Sequence, residues 1–160
     1  MAGAARRHVL HAVAVPDTTH PRTALPKADE HRLRMLRQEV GRLRQRETRR
    51  RFDPCINVGE LGGQRTGFVI AARDQPLMDV ELRVDVVGRL LLEAPAAWRT
   101  AWLVRPGTPE AHDVDLQWLS AVRMAYDMHG RTYDGCYVVT RSGWRDMVTG
   151  ETRTWVRLRL

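Results

Sequence analysis

From residue 55 onward the chain alternates short apolar runs with two stretches of helical period, and Gly or Pro marks most junctions. That alternation constrains the fold more than any other feature. Residues 55–60 and 66–72 read as strands around a turn at Gly59, Gly62 and Gly63, which suggests a hairpin. Residues 77–93 read as a helix with Val80, Val84, Val87 and Leu91 on one side, ended by Pro95. Residues 98–105 read as a buried strand stopped by Pro106 and Gly107. Thr108 at the N-cap and Pro109 at the first helical position then open a second helix. It runs to about His129, with Gly130 where a helix-ending glycine belongs. Residues 136–141, 144–148 and 152–160 are three more strands, separated by turns at Ser142-Gly143 and Thr149-Gly150. The order predicts an α/β (α+β) fold: a single mixed sheet of five or six strands with two packed helices.

A basic amphipathic helix precedes this domain. Leu33, Leu36, Val40 and Leu43 recur at helical spacing and form one apolar seam. Arg32, Arg34, Arg37, Arg42, Arg44, Arg46, Arg49, Arg50 and Arg51 occupy the other faces. Asp29 can cap its start, and Pro54 ends it. Residues 1–30 carry Pro16, Pro21 and Pro26 without periodicity and read as disordered. The expected organisation is a disordered segment 1–30, a basic helix 31–54 and a globular domain 55–160. Met35 is an alternative start of translation.

The charge follows the same division. Residues 1–54 hold 13 basic and 6 acidic side chains, whereas residues 55–160 hold 13 of each, so the whole net charge of +7 lies in the first third. Such a cluster attracts nucleic acid, an anionic surface or an acidic protein face. All 26 basic residues but Lys27 are Arg, whose guanidinium forks grip phosphate and carboxylate. Arg42, Arg44, Arg46, Arg49, Arg50 and Arg51 are the helical candidates for phosphate contact.

On the last strands, Trp144 and Trp155 interleave with Arg141, Arg145, Arg153, Arg157 and Arg159. Strand alternation puts Trp155, Arg157 and Arg159 on one face, and Val156, Leu158 and Leu160 on the other. Arg153, Trp155 and Arg157 would then offer a base-stacking, phosphate-binding sheet face. Alternatives remain for the helix. Its seam could pack on its own domain, dock on another helix in a protein–protein adaptor, or form a weak coiled-coil homodimer.

Catalytic signals are sparse. There is no phosphate-binding loop, no dinucleotide glycine fingerprint and no serine elbow. Cys55 and Cys136 sit in apolar, strand-like runs and read as buried thiols. His112, Asp113 and Asp115, with Arg105, form a candidate pocket around the start of the second helix. The acidic pair suits either a hard cation or the positive end of the helix dipole, and the dipole is the expected role. No cofactor and no metal are expected. No run approaches a membrane span, and the N-terminus is too short and polar for a signal peptide, so a cytoplasmic location is expected.

Residues 102–147 resemble the metal-site segment of JAB/MPN-type domains, in particular the bacterial RadC-like branch. The likeness runs from Trp102 through Pro106-Gly107-Thr108-Pro109 to Asp115, and continues at Asp134-Gly135-Cys136-Tyr137-Val138-Val139-Thr140. That family holds zinc with two His and one Asp, beside a Ser. Here the His positions are Leu103 and Arg105, the Ser position is His112, and only Asp115 matches a ligand. One carboxylate cannot supply four zinc ligands. The resemblance implies a shared fold with a degenerate site. A hydrolase with a non-standard site is the alternative. The end of the chain also resembles small actinobacterial proteins that carry Gly143-Trp144, Thr149-Gly150-Glu151 and an Arg153-Thr154-Trp155 run. That likeness implies bacterial origin only. The leading expectation is a non-catalytic module that contacts nucleic acid, or an acidic protein, through its Arg-rich helix.

Overall fold

A computed structural model describes residues 27–158 of the chain. The elements run α1 (Lys27–Arg46), β1 (Cys55–Gly59), β2 (Arg65–Val69), α2 (Val80–Glu93), β3 (Thr100–Val104), α3 (Asp113–Met128), β4 (Gly135–Val139), β5 (Gly143–Asp146) and β6 (Thr152–Thr154). The strands form one mixed sheet in the order β2-β1-β3-β4-β5-β6. β3 and β4 pair in parallel, from Thr100 opposite Gly135 to Val104 opposite Val139. The other neighbours are antiparallel, and β1–β2 is the expected hairpin. This is the α+β architecture that the apolar pattern predicts.

Side-chain alternation along β3 and β4 sets the layers. Ala101, Leu103, Cys136 and Val138 face α2 and α3, where Trp118, Val122 and Val87 complete one core. Trp102, Val104, Tyr137 and Val139 face the opposite way, onto a second core. Burial on both faces is why these strands read as near-continuous apolar runs. The second core is closed by α1: Leu36 and Val40 are fully buried and Leu43 nearly so, against Trp102, Tyr137 and Trp144. The basic helix is thus a layer of the packed structure. The Leu33–Leu43 seam is taken up within the chain: Leu36, Val40 and Leu43 are buried in this core, and Leu33 packs against it.

Several boundaries differ from those expected, each for a local reason. α1 starts at Lys27, so residues 27–30 are helical rather than irregular, while the rest of the segment 1–30 lies outside the described residues. α1 stops at Arg46, well before Pro54. There the Glu47 carboxylate accepts the Arg49 backbone N–H at 3.1 Å and its side chain at 3.0 Å, a local turn that competes with helix. α3 starts at Asp113 rather than Pro109. The segment between is held in a loop by Arg105. α2 starts at Val80, capped by Asp79, whose carboxylate accepts the Leu82 N–H at 2.8 Å. Gly130 does end α3, with φ +60 and the Arg131 N–H bonded to the Tyr126 carbonyl at 2.8 Å.

The last strand departs most. β6 ends at Thr154, and the Trp155 N–H turns to the Ser142 carbonyl at 2.8 Å. Trp155 and Leu158 pack towards the α1 core, whereas Val156 is 99% exposed. Trp155 and Val156 therefore lie opposite to the expected faces while Leu158 lies inward as expected, because β6 ends at Thr154 and strand alternation does not continue beyond it. Trp144 is fully buried and is no part of an outer face. Arg159 and Leu160 lie outside the described residues.

Candidate functional site

The carboxyl ends of the parallel pair β3 and β4 carry the most unusual chemistry, as open α/β sheets would suggest. Arg105 follows β3 directly and is 4% exposed. Its guanidinium meets Asp115, 2% exposed, through two bonds of 2.7 Å. Its other donors reach the carbonyls of Pro106 at 3.1 Å, Thr108 at 2.9 Å and Glu110 at 2.8 Å. All five donors of the fork are thereby used. Asp115 also accepts the His112 N–H at 3.0 Å. The loop from β3 to α3 is folded around this guanidinium, which explains why Thr108 and Pro109 do not start a helix. Gly107, at φ +89, supplies the left-handed turn the loop needs.

The loop separates two clefts. On the α2/α3 side lies a cavity of about 350 Å³, walled by Ile70, Met78, Leu103 and Trp118. Its polar lining is Arg83, Gln75, His112 and the edge of Arg105. Arg83 is 7% exposed, and its guanidinium carbon stands 5.6 Å from the centre of the Trp118 ring. Its Nε is buried with no hydrogen-bond partner among the described residues. Burial pushes its pKa down from the ordinary arginine value.

On the α1 side lies a wider cleft of about 720 Å³, lined by Arg44, Thr108, Glu110, Arg141, Ser142 and Trp155. Arg44 donates to the Arg141 carbonyl and, at 2.6 Å, to the Trp155 carbonyl. Both acceptors are neutral, and Arg44 makes no ion pair among the described residues. Trp155 is also a wall of a second cleft of about 320 Å³, with Leu33, Arg34, Arg37 and Arg153. One half-buried indole thus divides two arginine-lined clefts.

The sequence-selected arginines separate into two groups. Arg32 is paired with Asp146 and Glu151, Arg42 with Glu39, and Arg49 with Glu47. Arg153 lies 3.5 Å from Glu151. Glu39, itself 3% exposed, also takes Arg65 at 2.6 Å. Arg34, Arg46, Arg50, Arg51 and Arg157 are exposed and make no ion pair among the described residues. So Arg42 and Arg49 carry less free charge than their positions in the sequence imply. Arg34 and Arg141 belong with the basic clefts.

Of the candidate pocket, Arg105, His112 and Asp115 are brought together, whereas Asp113 is exposed on the first turn of α3. Both Asp115 oxygens are spent on Arg105. Among the described residues, no three His, Cys, Asp or Glu side chains are grouped as a metal-binding set. Arg83 was not legible as a site residue from motifs. Its signal is an arginine on the apolar side of a helix, beside Val84 and Val87; Val80, expected on that side, is half-exposed. Cys136 is fully buried, and burial pushes its thiol up to about 12. Among the described residues, no helix is long and apolar enough to cross a membrane. Compared with known protein families, with curated proteins and with solved structures, the chain matches none.

Proposed function

We propose that this protein is a non-catalytic module that binds single-stranded nucleic acid along the clefts on either side of Trp155. The observation that carries this reading is the indole shared by two arginine-lined clefts. Stacking on an aromatic ring flanked by cations is the general chemistry of sequence-tolerant single-strand binding. Arg34 and Arg153 flank one side of the indole, and Arg44 and Arg141 the other. The unpaired Arg50 and Arg51 extend the positive field beyond Arg141, which donates to the Arg49 carbonyl at 3.4 Å. Base stacking contributes about 1–3 kcal/mol per base, and each phosphate contact adds roughly −0.7 to the slope of log affinity against log salt. Four to six contacts give a slope of about −3 to −4.

Fluorescence anisotropy with a labelled oligothymidine or oligouridine strand tests the reading across a salt series. Binding at low salt with that slope is expected. Trp155→Ala weakens it at every salt concentration, whereas Gln at positions 34, 50, 51 and 157 flattens the slope. Absence of binding at low salt sinks the reading and leaves an acidic protein face as the partner of the same charges.

The Arg105–Asp115 pair favours a second reading, a degenerate JAB/MPN-like site. The two positions that align with a His and the Asp ligand of that family are in direct contact here. In this reading a guanidinium takes the place of the metal charge, and the shared fold carries no hydrolase. His at positions 103 and 105 is expected to restore zinc uptake, measured by elemental analysis of the folded variant. A folded variant that takes up no zinc argues against it.

A further inference from the structure

We propose that the cavity between α2, α3 and the end of β3 is a binding site for a small organic monocarboxylate. Its carboxylate would sit on the Arg83 guanidinium and its apolar body on Trp118, Leu103, Met78 and Ile70.

Arg83 is a buried cation with no counter-ion in contact among the described residues. Its Nε has no hydrogen-bond partner among the described residues, and its recorded contact is the Trp118 ring. The carboxylate that acts on it electrostatically is Asp79, which is exposed and engaged as the cap of α2. The stack on the Trp118 ring offsets part of the cost of burying the charge. The ring supplies no acceptor for the buried Nε, which is left without the hydrogen bond it would make in water. The stack alone therefore does not balance the burial, and an anion from outside would.

The chemistry of that anion follows from the walls. Arg105 lines the same cavity, but all five of its donors are occupied. Among the described residues that line the cavity, Arg83 is the arginine with donors left over, and it matches a single negative charge. A planar carboxylate meets the guanidinium fork with two parallel bonds. Gln75 and His112 are the remaining polar side chains, too few for the oxygens of a dianionic phosphate. The other walls are apolar. At roughly 30 Å³ per water-sized atom, about 350 Å³ holds about a dozen non-hydrogen atoms. That is the size of an arylalkanoate or a medium-chain acid, within the usual range of small-molecule sites.

The test uses the full chain with phenylbutyrate, phenylbutyramide and inorganic phosphate, by calorimetry and thermal shift. The acid is expected to bind and raise the unfolding midpoint, and the amide to bind about tenfold or more weakly, since it lacks the charge-assisted pair. Arg83→Met should remove the preference for the acid while keeping the fold. Val114→Trp, at the half-exposed rim of the cavity, should block both ligands without touching the charge. Equal binding of acid and amide overturns the proposal, as does a preference for the acid that survives Arg83→Met. Binding of phosphate lost in Arg83→Met would make the site a phosphate site and overturn the carboxylate assignment. No binding of phenylbutyrate up to its solubility limit overturns it outright.

Discussion

Arg105 and Asp115 form a two-bond ion pair, both residues nearly free of solvent, that joins the end of β3 to the first turn of α3. Leaving either charge buried alone costs about 3–5 kcal/mol. Asp115→Asn is therefore expected to lower stability by about that amount. Arg105→Met should cost at least as much, because it also strands the carbonyls of Pro106, Thr108 and Glu110. Combining Arg105→Met with Asp115→Leu recovers the charge penalty but not the loop. Urea unfolding of the three variants checks this. Full recovery in the double variant would show that the loop carbonyls need no such donor.

Leu36→Ala tests whether α1 is a layer of the core. Leu36 is fully buried against the sheet, so its truncation is expected to cost about 2–5 kcal/mol. A helix that merely trails from a folded domain would lose almost nothing. Chemical denaturation followed by tryptophan fluorescence reads the difference, since Trp102 and Trp144 share that core.

Alkaline pH should unfold this protein early. Burial pushes the Cys136 thiol from 9.0 up to about 12, and the Tyr126 hydroxyl from 10.0 up to about 12. Both folded-state values lie above the unfolded ones. Their stabilising contribution is thus complete below about pH 9 and is lost as pH rises towards about 12, where the unfolded chain binds fewer protons. Urea midpoints measured from pH 8 upward should fall across that window, and Tyr126→Phe should shallow the fall. A flat profile in the parent contradicts the assignment.

Gly143 lies against β6 so closely that a Cβ would collide with the Arg153 carbonyl oxygen. Gly143→Ala must push the two strands apart, at a cost of about 1–3 kcal/mol. The same movement displaces Trp155, which hangs from the Ser142 carbonyl. Weaker single-strand binding together with a lower unfolding midpoint is expected. A stability loss with unchanged affinity would separate Trp155 from the binding surface.

The apolar pattern and its Gly and Pro punctuation determined the elements: six strands and three helices in the right order, with Gly130 ending α3. They suffice because periodicity and turn chemistry are local. Asymmetric charge was equally legible, since it needs only counting. What each charge meets was decided by tertiary structure. Glu39 lies 26 positions from Arg65, and Arg32 lies 114 from Asp146, and no local rule joins them. The same holds for Arg105, which overrides the Thr108-Pro109 start signal from within the fold. It holds for Trp155 too, whose direction depends on where β6 ends and on a core beneath it built by α1. Partners distant in sequence meet through packing, and packing settles which arginines are spent and which, like Arg83, are left with an empty hand.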